Sequence, residues 1–323
     1  MKEIKVGKNE SEQRIDRFLK KYMANATKGY IYKMLRKKRI KLNGKRANPE
    51  DMISEGDIVT MYLADETIDK FKRDEKEVLE NVKLDIIYED ENIIMIDKPK
   101  GVLSHSAEGD YKEENIVSQL VSYLYHKGEY VPRLEKAFTP SICNRLDRNT
   151  SGILIGAKNY ETLKCVNEAI KNRKIDKFYR CIVVGRVDRE MELRDYLEKD
   201  ESRNMVSVSR GPGDSKKEIV TVIRPVKSNG RYSLLEVELI TGRTHQIRAH
   251  LASKGNPIIG DRKYGNSEEN KKLRQRYGLD SQYLHAYRLR LDGLSGSLEY
   301  LNGKEFVSEL KGNMKRIEEE LLI

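Results

Sequence analysis

Features typical of secreted, disulfide-bonded or membrane-embedded proteins are missing from this 323-residue sequence. Only three cysteines occur, Cys143, Cys165 and Cys181, and none of them forms a Cys-x-x-Cys pair. This argues against a disulfide framework and a cysteine-rich zinc site, and it fits a reducing cytoplasm. No run of about 18 apolar residues occurs, so we expect no membrane span. Residues 1–16 lack the apolar centre of a signal peptide, so we expect no secretory leader.

Positive charge exceeds negative charge, and the excess is concentrated at one end of the chain. The sequence has 62 lysines and arginines, 52 acidic residues and a formal net charge of +10. Residues 1–63 hold 16 of the basic and 8 of the acidic residues, a net charge of +8. This distribution indicates a polyanionic partner that contacts the N-terminal part of the chain.

A composition change divides the chain. Residues 64–82 contain 11 charged residues in 19 and few apolar ones, which is typical of a solvated linker. From residue 83 onwards, apolar strand-like runs alternate with shorter helical patterns, without an internal repeat. We therefore predict a basic N-terminal domain over residues 1–63, a charged linker over 64–82 and one larger domain over 83–323.

The N-terminal domain combines two short helices with a hairpin. Apolar residues recur at helical spacing over Gln13–Leu19 and again over Lys28–Arg39. The stretch RIKLNGKRA predicts a strand that enters an Asn-Gly turn at Asn43–Gly44, and EGDIVTMYL predicts a turn followed by a strand. These parts make a compact module with a basic helix.

That basic helix is the candidate RNA-binding surface. Lys33, Arg36 and Lys37 share one face of the second helix at spacings i, i+3 and i+4. Such a face can contact phosphates, although charged helical faces also serve simply to solvate a small domain. The order of the elements over Glu12–Leu63 resembles the S4 RNA-binding domain. The resemblance implies that Lys33, Arg36 and Lys37 contact RNA.

The segment NRLDRNTSG, Asn144–Gly152, is the first candidate for chemistry in the larger domain. Asp147 lies in a turn of small polar residues directly before a buried-type strand, a fixed position at the rim of a sheet. An aspartate is ionised at neutral pH and needs no base to act as a nucleophile. The alternative is a structural carboxylate that accepts hydrogen bonds from Thr150 and Ser151 in an Asx-type turn.

Two further segments supply candidate substrate contacts. In NIIMIDKPKG, a strand enters a Pro-Gly turn, and Lys98 either contacts a substrate phosphate there or is simply solvated. In KIDKFYRC, Tyr179 lies near the start of a strand. An aromatic residue there usually belongs to the core, but a tyrosine can also stack on an extruded base with its hydroxyl available for proton transfer.

The segment TGRTHQIRAHLASKG contains a short predicted helix, Thr244–Ser253, that ends before Gly255. His245 and Arg248 share one side of this helix, and the planar guanidinium of an arginine suits a carboxylate or a phosphate. His245 and His250 have no Asp, Glu or Cys at metal-ligand spacing, so we expect no zinc site.

The segments NRLDRNTSG, KFYRC, TGRTHQIRAHL and PIIGDRKYG occur in an order that resembles the RluA-type family of pseudouridine synthases, over about Leu84 to Leu291. The arrangement is most similar to the large-ribosomal-subunit enzymes of the RluC and RluD kind. The resemblance implies that Asp147 attacks the uridine while its base is detached, turned and re-attached through carbon. It also implies that Tyr179 packs against the base and assists proton removal, that Arg248 holds Asp147, and that Arg145 fills the gap left by the extruded nucleotide.

The same resemblance extends the set of expected contacts and fixes the expected fold. Substrate or RNA contacts are also expected at Lys98, Arg148, Thr150, His245, Gln246 and Leu289. Asn144 and Asn149 stand where many relatives have histidine and aspartate, so RNA contacts there could differ. We expect an α/β (α+β) fold with a mixed, largely antiparallel sheet flanked by helices, behind a small S4-type domain. Predicted strands are Ile93–Ile96, Gly152–Ala157, Tyr179–Val187, Glu218–Arg224 and Leu234–Ile240, with a hairpin turn at Ser228–Gly230.

The expected enzyme is a cytoplasmic monomer that modifies ribosomal RNA of the large subunit. Isomerisation transfers no electrons to or from the substrate, so no redox cofactor is expected. Two other functions stay open from the residues alone. A non-catalytic RNA-binding or ribosome-assembly protein would also explain the basic module, and a metal-dependent nuclease or deaminase would rest only on His245 and His250.

Overall fold

The computed structural model describes residues 1–71, 79–80, 82, 84–106, 114–130, 138–200 and 205–322. The chain forms two compact units. The N-terminal unit comprises Met1–Lys83, Val117–Ser141 and Ala157–Leu163, and the larger unit comprises Leu84–Ile116, Ile142–Gly156 and Lys164–Ile323. Within the described ranges, no helix combines the length and the apolarity that a bilayer crossing requires.

Small strands and helices build the N-terminal unit. In chain order they are β1 (Lys2–Lys5), β2 (Gln13–Arg14), α1 (Ile15–Tyr22), α2 (Lys28–Arg36), β3 (Ile40–Leu42), β4 (Lys45–Arg46), β5 (Met52–Ile53), β6 (Ile58–Met61), α3 (Asp65–Phe71) and α4 (Ile116–His126). β1, β6, β3 and β4 form a four-stranded sheet in that order, and β2 pairs with β5. The predicted helices and hairpin are therefore present, with changed ends.

Backbone conformation explains where these elements end. The predicted second helix stops three residues early, and Lys38, two residues beyond its end, adopts a left-handed φ of 57°. The predicted hairpin turn is confirmed, because Asn43 and Gly44 have φ values of 50° and 75°, as a two-residue turn of this kind requires. The apolar sides of α1 and α2 pack with Ile40, Val59 and Met61 into one core.

The linker predicted over residues 64–82 is wrong for its first part. Residues 65–71 form α3, in which Ile68 is fully buried in the core of the N-terminal unit. Phe71 packs on Tyr30 with ring centroids 4.6 Å apart, and its carbonyl accepts a hydrogen bond from the Asn25 backbone N–H. Two apolar residues at spacing i, i+3 suffice to bury one side of a short charged helix. Residues 72–78 and 81 lie outside the described residues.

One large sheet dominates the larger unit. Its described strands are β7 (Ile86–Glu89), β8 (Ile93–Lys98), β9 (Ser141–Ile142), β10 (Ser151–Ala157), β11 (Ile175–Val184), β12 (Met191–Asp200), β13 (Met205–Ser209), β14 (Lys217–Ser228), β15 (Tyr232–Leu239), β16 (Leu284–Leu291) and β17 (Glu305–Val307). The order is β13-β12-β14-β15-β11-β16-β10-β8-β7, with β17 beside β16 and β9 beside β10. Helices α5 (Tyr160–Lys171), α6 (Gln246–Ser253), α7 (Ser267–Tyr277) and α8 (Gly312–Leu321) accompany it.

This architecture confirms the expected mixed, largely antiparallel sheet. Strands β11 to β15 pair antiparallel, whereas β10 runs parallel to β16. The predicted strands are present with shifted ends, and the predicted Ser228–Gly230 turn joins β14 to β15, with Gly230 at a φ of 87°. The central strands contribute Ile93, Met95, Ile153 and Ile155 to an apolar core.

Gly152 fixes the position of the turn that precedes β10. Its φ is 109°, and a Cβ at this position would overlap the backbone of Ala286. Only glycine therefore allows β10 to approach β16 this closely. The turn that carries Asp147 is held at the rim of the sheet as a result.

We expect Ile68→Ala to lower the free energy of unfolding by about 2–4 kcal/mol, because it leaves a cavity beneath α3. The matched control is Ile58→Ala, since Ile58 is 41% exposed, and it should cost less than about 1 kcal/mol. Denaturant titration followed by circular dichroism measures both. Equal losses in the two variants would mean that α3 is not part of this core.

Candidate active site

A cavity of about 600 Å³ opens in the larger unit and contains Asp147 in its wall. Its walls come from the loop 103–106, the turn 143–150, strand β11 and the segment from Leu239 to Arg248. Asp147 is 28% exposed, so its carboxylate is held by the protein yet open to the cavity. Its carbonyl accepts a hydrogen bond from the Thr150 N–H at 3.0 Å, which closes the turn.

Asp147 and Arg248 meet although 101 residues separate them. Arg248 Nη1 donates to Asp147 Oδ2 at 2.7 Å. The other edge of the Arg248 guanidinium forms a bidentate ion pair with Asp261. Nε donates to Oδ2 at 2.7 Å, and Nη2 donates to Oδ1 at 2.9 Å. Asp261 is fully buried and also accepts hydrogen bonds from the backbone N–H groups of Lys263 and Tyr264. The guanidinium is therefore fixed from one side and directed at Asp147 from the other.

Burial and charge oppose each other in this ion-pair network. Burial alone would raise the pKa of Asp261, but the hydrogen bonds and charge of Arg248 outweigh it and lower that pKa. Burial alone would lower the pKa of Arg248, yet Asp261 and Asp147 raise it. Both partners therefore stay charged, and a charged guanidinium keeps its hold on Asp147.

His245 approaches the same carboxylate through a defined hydrogen-bond chain. The Tyr264 hydroxyl accepts from the Val206 N–H at 2.9 Å and lies 3.0 Å from His245 Nδ1. The other ring nitrogen of His245, Nε2, lies 3.8 Å from Asp147 Oδ2. Burial lowers the pKa of His245, and the charge of Asp147 opposes this shift. His245 also has a left-handed φ of 53°, a strained conformation of the kind that clusters at functional sites.

Tyr179 and Lys177 lie on β11 and line the cavity together. Tyr179 is 6% exposed, and burial, with the charge of Asp147 as a second cause, raises its pKa. Its hydroxyl therefore remains protonated at neutral pH.

The remaining expected residues have different surroundings. Arg145 and Arg148 are exposed at the cavity wall, and Thr150 is buried there with its hydroxyl accepting from Gln282 Nε2 at 3.2 Å. Gln246 also lines the cavity, but its amide group bonds to Thr241, Val220, Thr221 and the backbone of Arg243. That side chain anchors the start of α6.

Lys98 is fully buried and differs most from the expected solvated or phosphate-binding lysine. Its ammonium donates to the carbonyls of Pro99, Val102 and Arg148 at 2.8–2.9 Å. Three acceptors match the three donors of an ammonium group, so Lys98 braces the turn that follows Asp147. Burial lowers the pKa of Lys98 to about 7, and the charge of Asp147 opposes that shift.

Leu289 lies in the apolar core and does not line the cavity, whereas Leu284 does. The contact of Leu289 with the target base stays a prediction, and Leu284 is the residue of β16 in the cavity wall. A register shift between β11 and β16 after Phe178 changes which β16 residues reach the cavity. This irregularity has no signal in the sequence.

His250 does not join His245. Its ring nitrogens contact the Thr221 hydroxyl and Asp195 Oδ2, each at 3.0 Å. Lys33, Arg36 and Lys37 belong to the N-terminal unit, where all three are exposed at the C-terminal end of α2. Asn144 ties its turn to β10, because its amide oxygen accepts from the Ile155 N–H at 2.8 Å.

Sequence reasoning assigned no role to Asp261, Tyr264 or Lys177. The first two lie in PIIGDRKYG and the third in KFYRC, two of the segments that carry the family resemblance. The order of the motifs pointed to these segments, but only the folded contacts distinguish the residues within them.

Comparison with known proteins agrees with this geometry. The family model described as RNA pseudouridylate synthase matches residues 92–253, and the S4 domain model matches residues 13–59. An uncharacterized RNA pseudouridine synthase of Mycoplasma capricolum subsp. capricolum is 32% identical over 306 residues, which are 94% of this chain and 95% of that protein. Ribosomal large subunit pseudouridine synthase D of Borreliella burgdorferi is 35% identical over 233 residues, 71% of this chain and 66% of that protein.

A solved structure shares the fold. Human RNA Pseudouridylate Synthase Domain Containing 4 superimposes with a TM-score of 0.55 at 22% identity, covering 72% of this chain and 92% of that one. Because the family model covers half of the chain and the Mycoplasma relative matches nearly all of it, the protein belongs to the RNA pseudouridine synthase family and carries an N-terminal S4 domain.

Proposed function

We propose that this enzyme isomerises specific uridines of large-subunit ribosomal RNA, with Asp147 as the nucleophile on an extruded nucleotide. The observation that carries the proposal is the Asp147 carboxylate, open to the cavity and fixed by Arg248 at 2.7 Å. A base inside a helix cannot reach such a group, so the target nucleotide must leave its stack and enter the cavity.

The proposed reaction conserves every atom. Asp147 attacks the uridine, at the ring or at the sugar carbon, and the bond between the ribose and the ring nitrogen breaks. The base turns within the cavity and re-attaches through carbon, and the bond between Asp147 and the substrate breaks. The proton on that carbon is lost and the ring nitrogen freed from the ribose takes up a proton, so the product is an isomer of the uridine. Arg248 keeps the carboxylate charged and oriented through these steps.

Tyr179 has a narrower role in this proposal than the family resemblance implies. A phenol whose pKa is raised by burial and by Asp147 holds its proton. It therefore suits packing against the base and hydrogen-bond donation better than direct proton abstraction. His245 is a second polar side chain beside Asp147, with Nε2 3.8 Å from its carboxylate.

The choice of substrate rests on two observations. The Borreliella burgdorferi relative is named for the large ribosomal subunit, and the S4 unit exposes Lys33, Arg36 and Lys37 at the C-terminal end of α2. We further propose an S4-type domain over residues 1–63 and a catalytic domain over 83–323. We also propose a cytoplasmic monomer, and the three free thiols fit a reducing compartment.

Asp147→Asn should reduce pseudouridine formation at least about 1,000-fold, because the amide is not a nucleophile of comparable strength. RNA affinity should remain within about threefold, since the change keeps the side chain's size. A carbodiimide-adduct and primer-extension map of unmodified large-subunit rRNA reads the activity, and filter binding reads the affinity. Asp188→Asn, at an exposed Asp–Arg pair, is the matched control. Wild-type-like activity of Asp147→Asn would end the proposal.

Asp261→Asn should lower kcat about 100-fold through loss of the fixed Arg248 geometry, with KM little changed. It should also lower the free energy of unfolding by about 3 kcal/mol, because one partner of a buried pair loses its charge. Asp188→Asn again serves as the exposed control. An unchanged kcat would contradict the positioning role of Asp261.

The same variant has a pH signature. The pKa of Asp261 is lower in the folded than in the unfolded state, so its contribution to stability is present above about pH 4 and is lost as the pH falls further. Asp261→Asn should therefore lose less stability than the wild type between pH 5 and pH 2, measured by thermal unfolding. A parallel decline of the two proteins would argue against this assignment.

Replacing Lys33, Arg36 and Lys37 together by glutamine should weaken RNA binding, because three phosphate contacts are removed. The slope of log K against log salt concentration should become shallower by up to about 2.5. The matched control replaces Lys271, Arg274 and Arg276, three exposed cations on α7, by glutamine. If both triple variants lose the same RNA affinity, the cations of α2 do not form specific contacts with the RNA and act only through the net charge of the protein.

A further inference from the structure

Within the described ranges, three basic residues expose less than a tenth of their surface to solvent: Lys98, Lys177 and Arg248. Lys98 donates to three backbone carbonyls, and Arg248 is paired with Asp261 and Asp147. Lys177 differs from both. Among the described residues, no hydrogen-bond acceptor or carboxylate pairs with its ammonium group, although the residue is only 9% exposed.

The position of Lys177 directs it to the catalytic cavity. It precedes Tyr179 by two residues on β11, so the alternation of a strand places both on the same face of the sheet, and both line the cavity. Its direct partner on β16 is Leu289, a buried apolar residue that offers no counter-charge. Asp176, its neighbour in sequence, lies on the opposite face by the same alternation.

The side chain of Lys177 is mostly buried, but its ammonium group is open to the cavity. Lys177 Nζ is not among the buried polar atoms that lack a hydrogen-bond partner, and the residue belongs to the cavity wall. Burial of the side chain lowers the pKa of Lys177, with the charge of Asp176 opposing the shift. A lysine ammonium without a partner among the described residues, in the wall of a substrate cavity, can bind an anionic group of the substrate.

We propose that Lys177 binds a backbone phosphate of the RNA at the extruded uridine. This inference rests on the proposed function, because it takes RNA as the occupant of the cavity. An extruded nucleotide brings its flanking phosphates to the site, and each carries a full negative charge that can pair with the ammonium. A neutral carbonyl of uracil could accept a hydrogen bond from the ammonium group but would not neutralise its charge. The phosphate role considered for Lys98 on sequence grounds thus moves to Lys177, whose donors are available.

The test compares full-length Lys177→Met, which keeps an unbranched apolar stem, with Lys177→Arg and with Lys171→Met. Lys171 is exposed at the end of α5 and supplies the same substitution without burial. Unmodified large-subunit rRNA transcript is the substrate and the binding probe. Steady-state kinetics, filter binding at several KCl concentrations and thermal unfolding are measured for each protein.

For Lys177→Met we expect KM to rise about tenfold or more, as for a lost hydrogen bond to a charged group. kcat should stay within about threefold. The salt slope of binding should become shallower by about 0.7–0.9, the value for one phosphate contact. Lys177→Arg should recover most of the slope, and Lys171→Met should match the wild type. The thermal midpoint of Lys177→Met should not fall, because the ammonium group has no hydrogen-bond partner among the described residues to lose.

Three results would overturn the inference. A raised KM with an unchanged salt slope would identify a neutral group as the ligand. A lower kcat with unchanged KM would make Lys177 part of the chemistry. A thermal midpoint that falls by several degrees would make it a structural residue. Should the wild type form no pseudouridine in this RNA, the proposed function fails, while the salt slope and the thermal midpoint still decide the role of Lys177.

Discussion

The ion pair between Arg248 and Asp261 is the constraint on which the rest of the site depends. A guanidinium bound at both Nε and Nη2 cannot rotate, and its remaining edge then has one direction in which to donate. Asp147 lies in that direction. The orientation of the nucleophile is thus determined by α6 and by the loop that carries Asp261, more than by its own turn. Gln246 reinforces this arrangement because its hydrogen bonds anchor the start of α6.

The turn that carries Asp147 is restrained on both sides as well. After it, Gly152 allows β10 to lie directly against β16. Beneath it, the Lys98 ammonium binds the carbonyl of Arg148. Between these restraints the carboxylate keeps about a quarter of its surface open to the cavity. A reactive group needs both properties, since rigidity orients it and exposure admits the substrate.

Local patterns in the sequence predicted local structure well. Asn43–Gly44 and Ser228–Gly230 were identified as turns because their residues accept left-handed backbone angles, and such preferences are independent of the remaining chain. The prediction of a solvated linker around Ile68 was wrong because the structure there depends on contacts with the rest of the chain. Composition averages over a window, whereas burial of α3 depends on two apolar residues and on the core that receives them. The pairing of Asp147 with Arg248 across 101 residues could be expected only from the family resemblance.

The two buried lysines illustrate what the sequence could not separate. Lys98 lies in a Pro-Gly turn, and its sequence position predicted a solvated or phosphate-binding side chain. Lys177 lies in a strand, and its sequence position predicted no role. Folding reverses this, because three carbonyls converge on Lys98 and none of the described acceptors reaches Lys177. Lys98 is thereby committed to the turn that follows Asp147, whereas Lys177 presents its ammonium group to the cavity without a partner among the described residues. Under the proposed function, a phosphate of the extruded nucleotide is the anionic group that would pair with it.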